Sequence, residues 1–181
     1  MEPALADVAP PLVRLPAALA ASGYALRPER EADLPFLLQL YASTRQQELA
    51  AVPWTEAEKA AFLASQFQAQ RHHYRTYIPA CSFAVIERNG APAGRLYLEP
   101  RRTQIHIVDI ALMPAHRGNG VGTAIMQALQ HAAHASGRGL GIMVETFNPA
   151  MRLYRRLGFA EIVDHGVYVE MEWRGDQLNV A

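Results

Sequence analysis

The sequence predicts an α/β domain: a central mixed sheet, mostly antiparallel, that contains one parallel βαβ unit and is flanked by helices. Three observations predict it. The pair Asn89-Gly90 lies between two strand-like segments, "CSFAVIER" and "APAGRLYLEP", and supplies the positive φ values of a type I′ hairpin, so the sheet begins antiparallel. Two nearly continuous apolar runs, "IHIVDIALM" and "LGIMVET", bracket a segment of helical period, the pattern of parallel strands joined by a crossover. Two long helical segments precede most of the strands instead of alternating with them.

In chain order, "GYALRPE" reads as a short first strand and "EADLPFLLQLYASTRQQEL" as a helix with its apolar residues on one side. "PWTEAEKAAFLASQFQAQRHHY" reads as a second helix, with Thr55 as N-cap and Glu58 as its capping-box partner. The hairpin follows, then "IHIVDIALM", expected to be a central strand buried on both faces. From Thr123 to Ser136, Ile125, Leu129 and Ala132 or Ala133 recur at helical spacing, and Gly137 is placed to end the helix. "LGIMVET" closes the βαβ unit. A short helix, "PAMRLYRRLG", with Pro149 near its start, leads to "FAEIVDH" and "VYVEMEW" as a last antiparallel pair.

Composition narrows the function classes. The 181 residues fit one domain over 23–175, with a flexible N-terminal tail at 1–22 and a short C-terminal tail at 176–181. Lys plus Arg and Asp plus Glu both number 17, so no strong field draws the chain to nucleic acid or to an anionic membrane surface, and no apolar run reaches the roughly 20 residues of a span. A small molecule is the expected partner. The single Cys81 excludes an intrachain disulfide and a cysteine-rich metal site and fits a reducing, cytoplasmic compartment. The Ala-rich start has Glu2 and Asp7 where an export signal needs basic residues, and Pro10, Pro11 and Pro16 interrupt its apolar stretch.

The segment "AHRGNGVGTAIM" carries the chemistry. Gly118, Gly120 and Gly122 alternate between a buried strand and a helix, where glycine is needed for positive φ or for close approach of the backbone to a ligand. A helix that starts there offers free N–H groups and its positive end to an anion, and Arg117 adds charge, so the segment reads as a phosphate cradle. The bland alternative is a tight turn without a ligand. A P-loop needs a lysine that is missing here. The dinucleotide fingerprint has different glycine spacing and an early position in a doubly wound sheet.

The pattern of Arg or Gln, two free positions, Gly, one free position, and Gly or Ala is matched by "RGNGVG" throughout. With the order of elements around it, this segment resembles the GNAT superfamily of N-acetyltransferases, and "NPAMRLYRRLGF" resembles the family's later motif, a short helix with a tyrosine followed by Leu-Gly-Phe. The resemblance covers roughly residues 23–174, with the specific motifs inside 105–159. It implies a GNAT-like fold and acetyl-coenzyme A as co-substrate, without a metal. It further implies that Arg117, Gly118, Asn119, Gly120, Val121, Gly122 and Thr123 hold the pyrophosphate, and that main-chain groups around Ala111 and Leu112 pair with the pantetheine arm like an added strand. The family's asparagine seven residues before the tyrosine is replaced here by Phe147; Asn148, six before, either contacts the cofactor arm or caps the helix that Pro149 opens.

Resemblance also places Tyr154 near the sulfur, where its phenol, with an ordinary pKa near 10, can protonate a thiolate whose conjugate acid lies near 8.5. The alternative is a tyrosine packed in the core beside Leu153 and Leu157. Asp109 and Glu145 interrupt apolar strands and are the candidate bases; each either takes that role or pairs with an arginine, and a water relay that needs no identifiable base is the remaining alternative. His131 and His134 sit with Gln127 and Gln130 on a solvated helix face, and His116 flanks the loop. His72 and His73, beside Tyr74, Arg75 and Tyr77, line an acceptor pocket or lie on the surface. The expected activity is transfer of an acetyl group to a primary amine, on a small molecule or a peptide, by direct attack in a ternary complex. Cys81 lies away from the motifs and reads as a core residue, not an acyl carrier. A non-catalytic acyl-coenzyme A binding or sensing module is the second reading, and a homodimer is compatible with either.

Overall fold

In the computed structural model, which describes residues 12–175, strands β1 (Tyr24–Pro28), β2 (Ser82–Arg88), β3 (Ala91–Pro100), β4 (Gln104–Leu112), β5 (Gly139–Glu145), β6 (Ala160–Asp164) and β7 (Tyr168–Trp173) form a seven-stranded sheet in the order β1-β2-β3-β4-β5-β7-β6. The hairpin is where the sequence puts it: Asn89 and Gly90 have φ of 51° and 80°, the type I′ combination. Among the described strands β4 and β5 alone run parallel, joined by helix α4 (Val121–Ala135) in the predicted βαβ unit. Gly137, at φ 66°, ends α4 in a Schellman motif, with the Arg138 N–H donating to the Ala133 carbonyl.

Two long helices, α2 (Leu34–Ala50) and α3 (Glu56–Tyr77), pack together through Leu37, Tyr41 and Phe67. Thr55 caps α3 in the predicted capping box: the Glu58 N–H donates to its hydroxyl and its own N–H donates to the Glu58 carboxylate. Side chains alternate across a strand, so Arg95 and Tyr97, which meet α3, share one sheet face, while Leu96 and Leu98 belong to the core under α4 on the other. That larger core runs from Ile86 and Leu96 through Ile107, Ile125 and Leu129 to Met171 and Trp173. The short helix α5 (Met151–Arg156) adds Met151 and Tyr154 to it.

Three expectations change. Residues 12–22, read as tail, fold onto the sheet: helix α1 (Ala17–Ala21) forms, Val13 and Leu19 are buried and Leu12 and Leu15 pack beside them, because four large apolar side chains in a mostly apolar segment are enough to dock it. The rest of both tails, residues 1–11 and 176–181, lies outside the described residues. Gln130 is buried instead of solvated; its side-chain amide donates to the Leu157 carbonyl at 2.7 Å and ties α4 to the end of α5. Strand β4 is buried only at Ile105 and Ile107, for a reason that shapes the candidate site.

Candidate active site

β4 pairs with β5 only from Gln104↔Gly139 to Ile107↔Ile142. Immediately beyond, the register with β3 jumps from Leu98↔Ile107 to Tyr97↔Asp109, so Val108 is a bulge residue. A bulge bends and twists its strand, and here it carries the rest of β4 along with β3 while β5 continues beside β7. The parallel strands splay, and residues 108–112 become half-buried. The Met113 N–H donates to the Ala93 carbonyl, so by alternation the main chain of Ala111 faces β3, and that of Ile110 and Leu112 faces the gap. Of the two residues expected to meet an added strand, Leu112 is on the open side and Ala111 is not.

The glycine loop lies at the end of the splay. Gly118 and Gly120 have φ of 76° and 78°, which side-chain-bearing residues rarely adopt. The first helical hydrogen bond of α4 runs from the Ala124 N–H to the Gly120 carbonyl, so the amides of Val121, Gly122 and Thr123 have no acceptor among the described residues. These donors stand at the positive end of a 15-residue helix. Gly122 is different: its backbone is ordinary, and a Cβ there would meet only Leu112 Cδ1, at 3.9 Å. Nothing within the fold requires glycine at 122. Arg117 packs across the loop base, its Nε donating to the Leu112 carbonyl at 2.7 Å and its Nη2 to Ser43 Oγ of α2 at 2.9 Å.

Tyr154 owes its setting to how α5 ends. Gly158, at φ 83°, lets the Phe159 N–H donate to the Tyr154 carbonyl, and the Phe159 ring packs on the Tyr154 ring at 5.8 Å. This is a Schellman motif with its usual apolar contact, and it accounts physically for the spacing of Tyr154, Gly158 and Phe159 in this chain. The residue is 5% exposed, and its hydroxyl has no partner among the described residues. Burial, helped by the charge of Asp109, pushes the phenol up to about 12. The core reading describes the Tyr154 ring, and the hydroxyl is within electrostatic reach of Asp109.

Each candidate carboxylate has an arginine. Asp109 Oδ2 accepts from Arg95 Nη2 at 2.7 Å and from the Tyr74 hydroxyl at 3.3 Å. Glu145, at the end of β5, accepts from Arg45 of α2 at 3.2 Å, and Arg45 also holds Glu48, so α2 is strapped to β5 across the splay. Arg95, Gln70 and Arg45 escaped the sequence reading, and Tyr74 was singled out only beside the histidines. One signal was available: Arg95 is a lone charge in "GRLYL", as Asp109 is in "IVDIA", and the hairpin brings those strands side by side.

The remaining residues singled out from the sequence make other contacts. Asn148 Oδ1 accepts from the Ala150 N–H at 2.9 Å, so it shapes the turn into α5. His72 and His73 are exposed, and His116 Nδ1 shares a hydrogen bond with Tyr24 Oη at 2.9 Å. Cys81 precedes β2, half-buried, and burial raises its thiol to about 12, far from a reactive thiolate. His106, on β4, has its pKa lowered to about 4, mainly by burial and further by Arg101. No cluster of histidine, cysteine or carboxylate side chains among the described residues can hold a metal ion, and none of the described helices is long and apolar enough to cross a membrane.

Comparison with known proteins adds to this geometry. Residues 37–159 match the model of the acetyltransferase (GNAT) family. A segment of 59 residues is 41% identical to streptothricin acetyltransferase of Streptomyces lavendulae; it is 32% of this chain and 31% of that protein, so the match spans about a third of the relative. The PaiA N-acetyltransferase of Thermoplasma acidophilum, solved with coenzyme A, superposes with a TM-score of 0.62 at 14% identity, covering 83% of this chain and 98% of that one. An acetyltransferase of Thermus thermophilus superposes with a TM-score of 0.59 at 19% identity, covering 83% and 96%. At such identities the two structures speak for the fold.

Proposed function

The chain belongs to the acetyltransferase (GNAT) family, and on that premise we propose that it transfers the acetyl group of acetyl-coenzyme A to a primary amine by direct attack in a ternary complex. The observation that carries the reading is the set of unpartnered amides at Val121, Gly122 and Thr123, at a helix N-terminus that opens onto the β4–β5 splay. These donors, with Gly118, Asn119 and Gly120, suit a pyrophosphate; the gap-facing main chain of Ile110 and Leu112 suits an amide-bearing arm. Arg117 lies beside both and can exchange its bond to the Leu112 carbonyl for a phosphate oxygen.

Bound acetyl-coenzyme A supplies a thioester. As the C–N bond forms and the C–S bond breaks, the amine gives up its protons, one of which ends on sulfur while the other leaves to solvent. Tyr154 faces the sulfur in this reading; its raised pKa makes it a weaker acid than free tyrosine but keeps it a protonated donor throughout the neutral range. Asp109 has an oxygen, Oδ1, with no partner among the described residues, and it receives the proton of the incoming amine. Glu145 acts with Arg45 as the strap at the mouth. Direct attack fits the suppressed Cys81 thiol.

Calorimetric titration with acetyl-coenzyme A, beside NAD and ATP, tests the cradle. Saturable binding of acetyl-coenzyme A alone is expected, followed by thiol release with one or more of streptothricin, spermidine, lysine and an alanine-led peptide. Binding of NAD or ATP in its place refutes the reading.

A further inference from the structure

We infer that Arg95 is a positioning residue for acetyl transfer, holding Asp109 as a fixed carboxylate at the point where β4 leaves β5; the inference rests on the transferase reading above. Arg95 lies on β3, and its side chain is 4% exposed. Its Nη2 donates to Asp109 Oδ2 at 2.7 Å and to Gln70 Oε1 at 3.0 Å, and its guanidinium carbon stands 5.2 Å from the centre of the Tyr97 ring. Gln70 and Tyr74, one turn apart on α3, grip the pair from above, Tyr74 by its hydroxyl on the same Asp109 oxygen. Asp109 Oδ2 is thereby held twice, and Oδ1 is left without a partner among the described residues.

Stability alone is a poor account of this arrangement. A buried ion pair is weak support for a fold, because apolar residues of similar volume fill the same space without desolvating two charges. Arg95 makes that cost larger, since its Nε is buried with no hydrogen-bond partner among the described residues. The position of the pair accounts for it better. Asp109 is the first residue after the bulge, it shares a sheet face with Tyr97, and its charge is felt by the Tyr154 phenol, which belongs to the opposite core. A carboxylate at this place that swung freely would face the amine in some rotamers and solvent in others; two donors on one oxygen remove that freedom before substrate arrives. α3 thus has a second role besides packing on α2, as the outer support of the carboxylate.

The test is a mutant cycle on the full chain with the best amine from the panel above, using Arg95→Met, Arg95→Lys, Asp109→Asn and the double variant Arg95→Met/Asp109→Asn. The double variant removes both buried charges, so it remains foldable even if Arg95→Met alone is not. Expected are an acetyl-coenzyme A Kd within about twofold of wild type, a fall in kcat/KM for the amine of about 10- to 100-fold in Arg95→Met, and partial recovery in Arg95→Lys, which keeps the charge but not the fork. The double variant should be no slower than Asp109→Asn alone, because Arg95 acts through Asp109. Losses that multiply, or Arg95→Met or Asp109→Asn turning over at the wild-type rate, overturn the inference while leaving the transferase reading standing. If wild type binds acetyl-coenzyme A and releases no thiol with any amine, the transferase reading itself falls, and the role of Arg95 falls with it.

Discussion

Replacing Gly122 by alanine should move stability and binding in opposite directions. The residue has a helical backbone, and its missing Cβ would meet only Leu112 Cδ1, at 3.9 Å, an ordinary contact. Alanine in a compatible backbone stabilises by about 0.4–1 kcal/mol, mainly by restricting the unfolded chain. For a chain of this size that raises Tm by about 1–4 °C. If a pyrophosphate lies against the amides of Val121, Gly122 and Thr123 at about 2.9 Å, the new methyl group crowds it, and affinity for acetyl-coenzyme A should fall at least about tenfold, or about 1.4 kcal/mol. Differential scanning fluorimetry and calorimetric titration on the same preparation read both effects. Gly120→Ala is the contrast: at φ 78° alanine is strained by about 1–2 kcal/mol, so stability should fall. A Gly122→Ala protein that melts higher and binds acetyl-coenzyme A as tightly as wild type would refute the close approach argued for the loop.

Three other outcomes are expected. Tyr154→Phe keeps the ring against Phe159 and should leave melting and acetyl-coenzyme A binding almost unchanged while thiol release falls by about 10²–10⁴; with the phenol at about 12, no alkaline loss of activity below pH 10 should come from this group. Cys81→Ser should retain turnover, and mass spectrometry of wild type incubated with acetyl-coenzyme A should find no acetyl adduct on Cys81. Two Arg27 hydrogen bonds of 2.7 Å hold the Asp33 carboxyl below the usual carboxylate range. A depressed folded pKa gives stability that is full above the unfolded value near 3.9 and lost as pH falls through the folded one. Asp33→Asn should therefore lower Tm at pH 7, and thermal melts should show the difference narrowing as pH drops towards 3.

What could be read from the sequence was mainly local. Asn89-Gly90, the Thr55 and Glu58 capping box and the alternating glycines are each set by neighbours in the chain; the structure places the first two as expected and gives positive φ at Gly118 and Gly120 but not at Gly122. The burial of β4 could not be read, because "IHIVDIALM" is apolar throughout while its solvation depends on a bulge at Val108 and on where β5 diverges. Arg95 drew no reading because its partners are remote in the chain, coming from β4 and from Gln70 and Tyr74 of a helix that precedes the hairpin. Gln130 was misread because helical period identifies a face, and only the packed α5 shows that this part of the face is covered.

The short seam between β4 and β5 also bears on how the protein comes apart. Four residue pairs, ending at Ile107↔Ile142, join a four-stranded half to a three-stranded half, and α4 bridges the two as the crossover. A ligand that lies along Leu112 as an added strand would lengthen that seam from outside the chain. Amides of residues 140–145 and 168–173 should then exchange with solvent through sub-global opening in the free protein and only through global unfolding when the cleft is filled, so that two cooperative units become one.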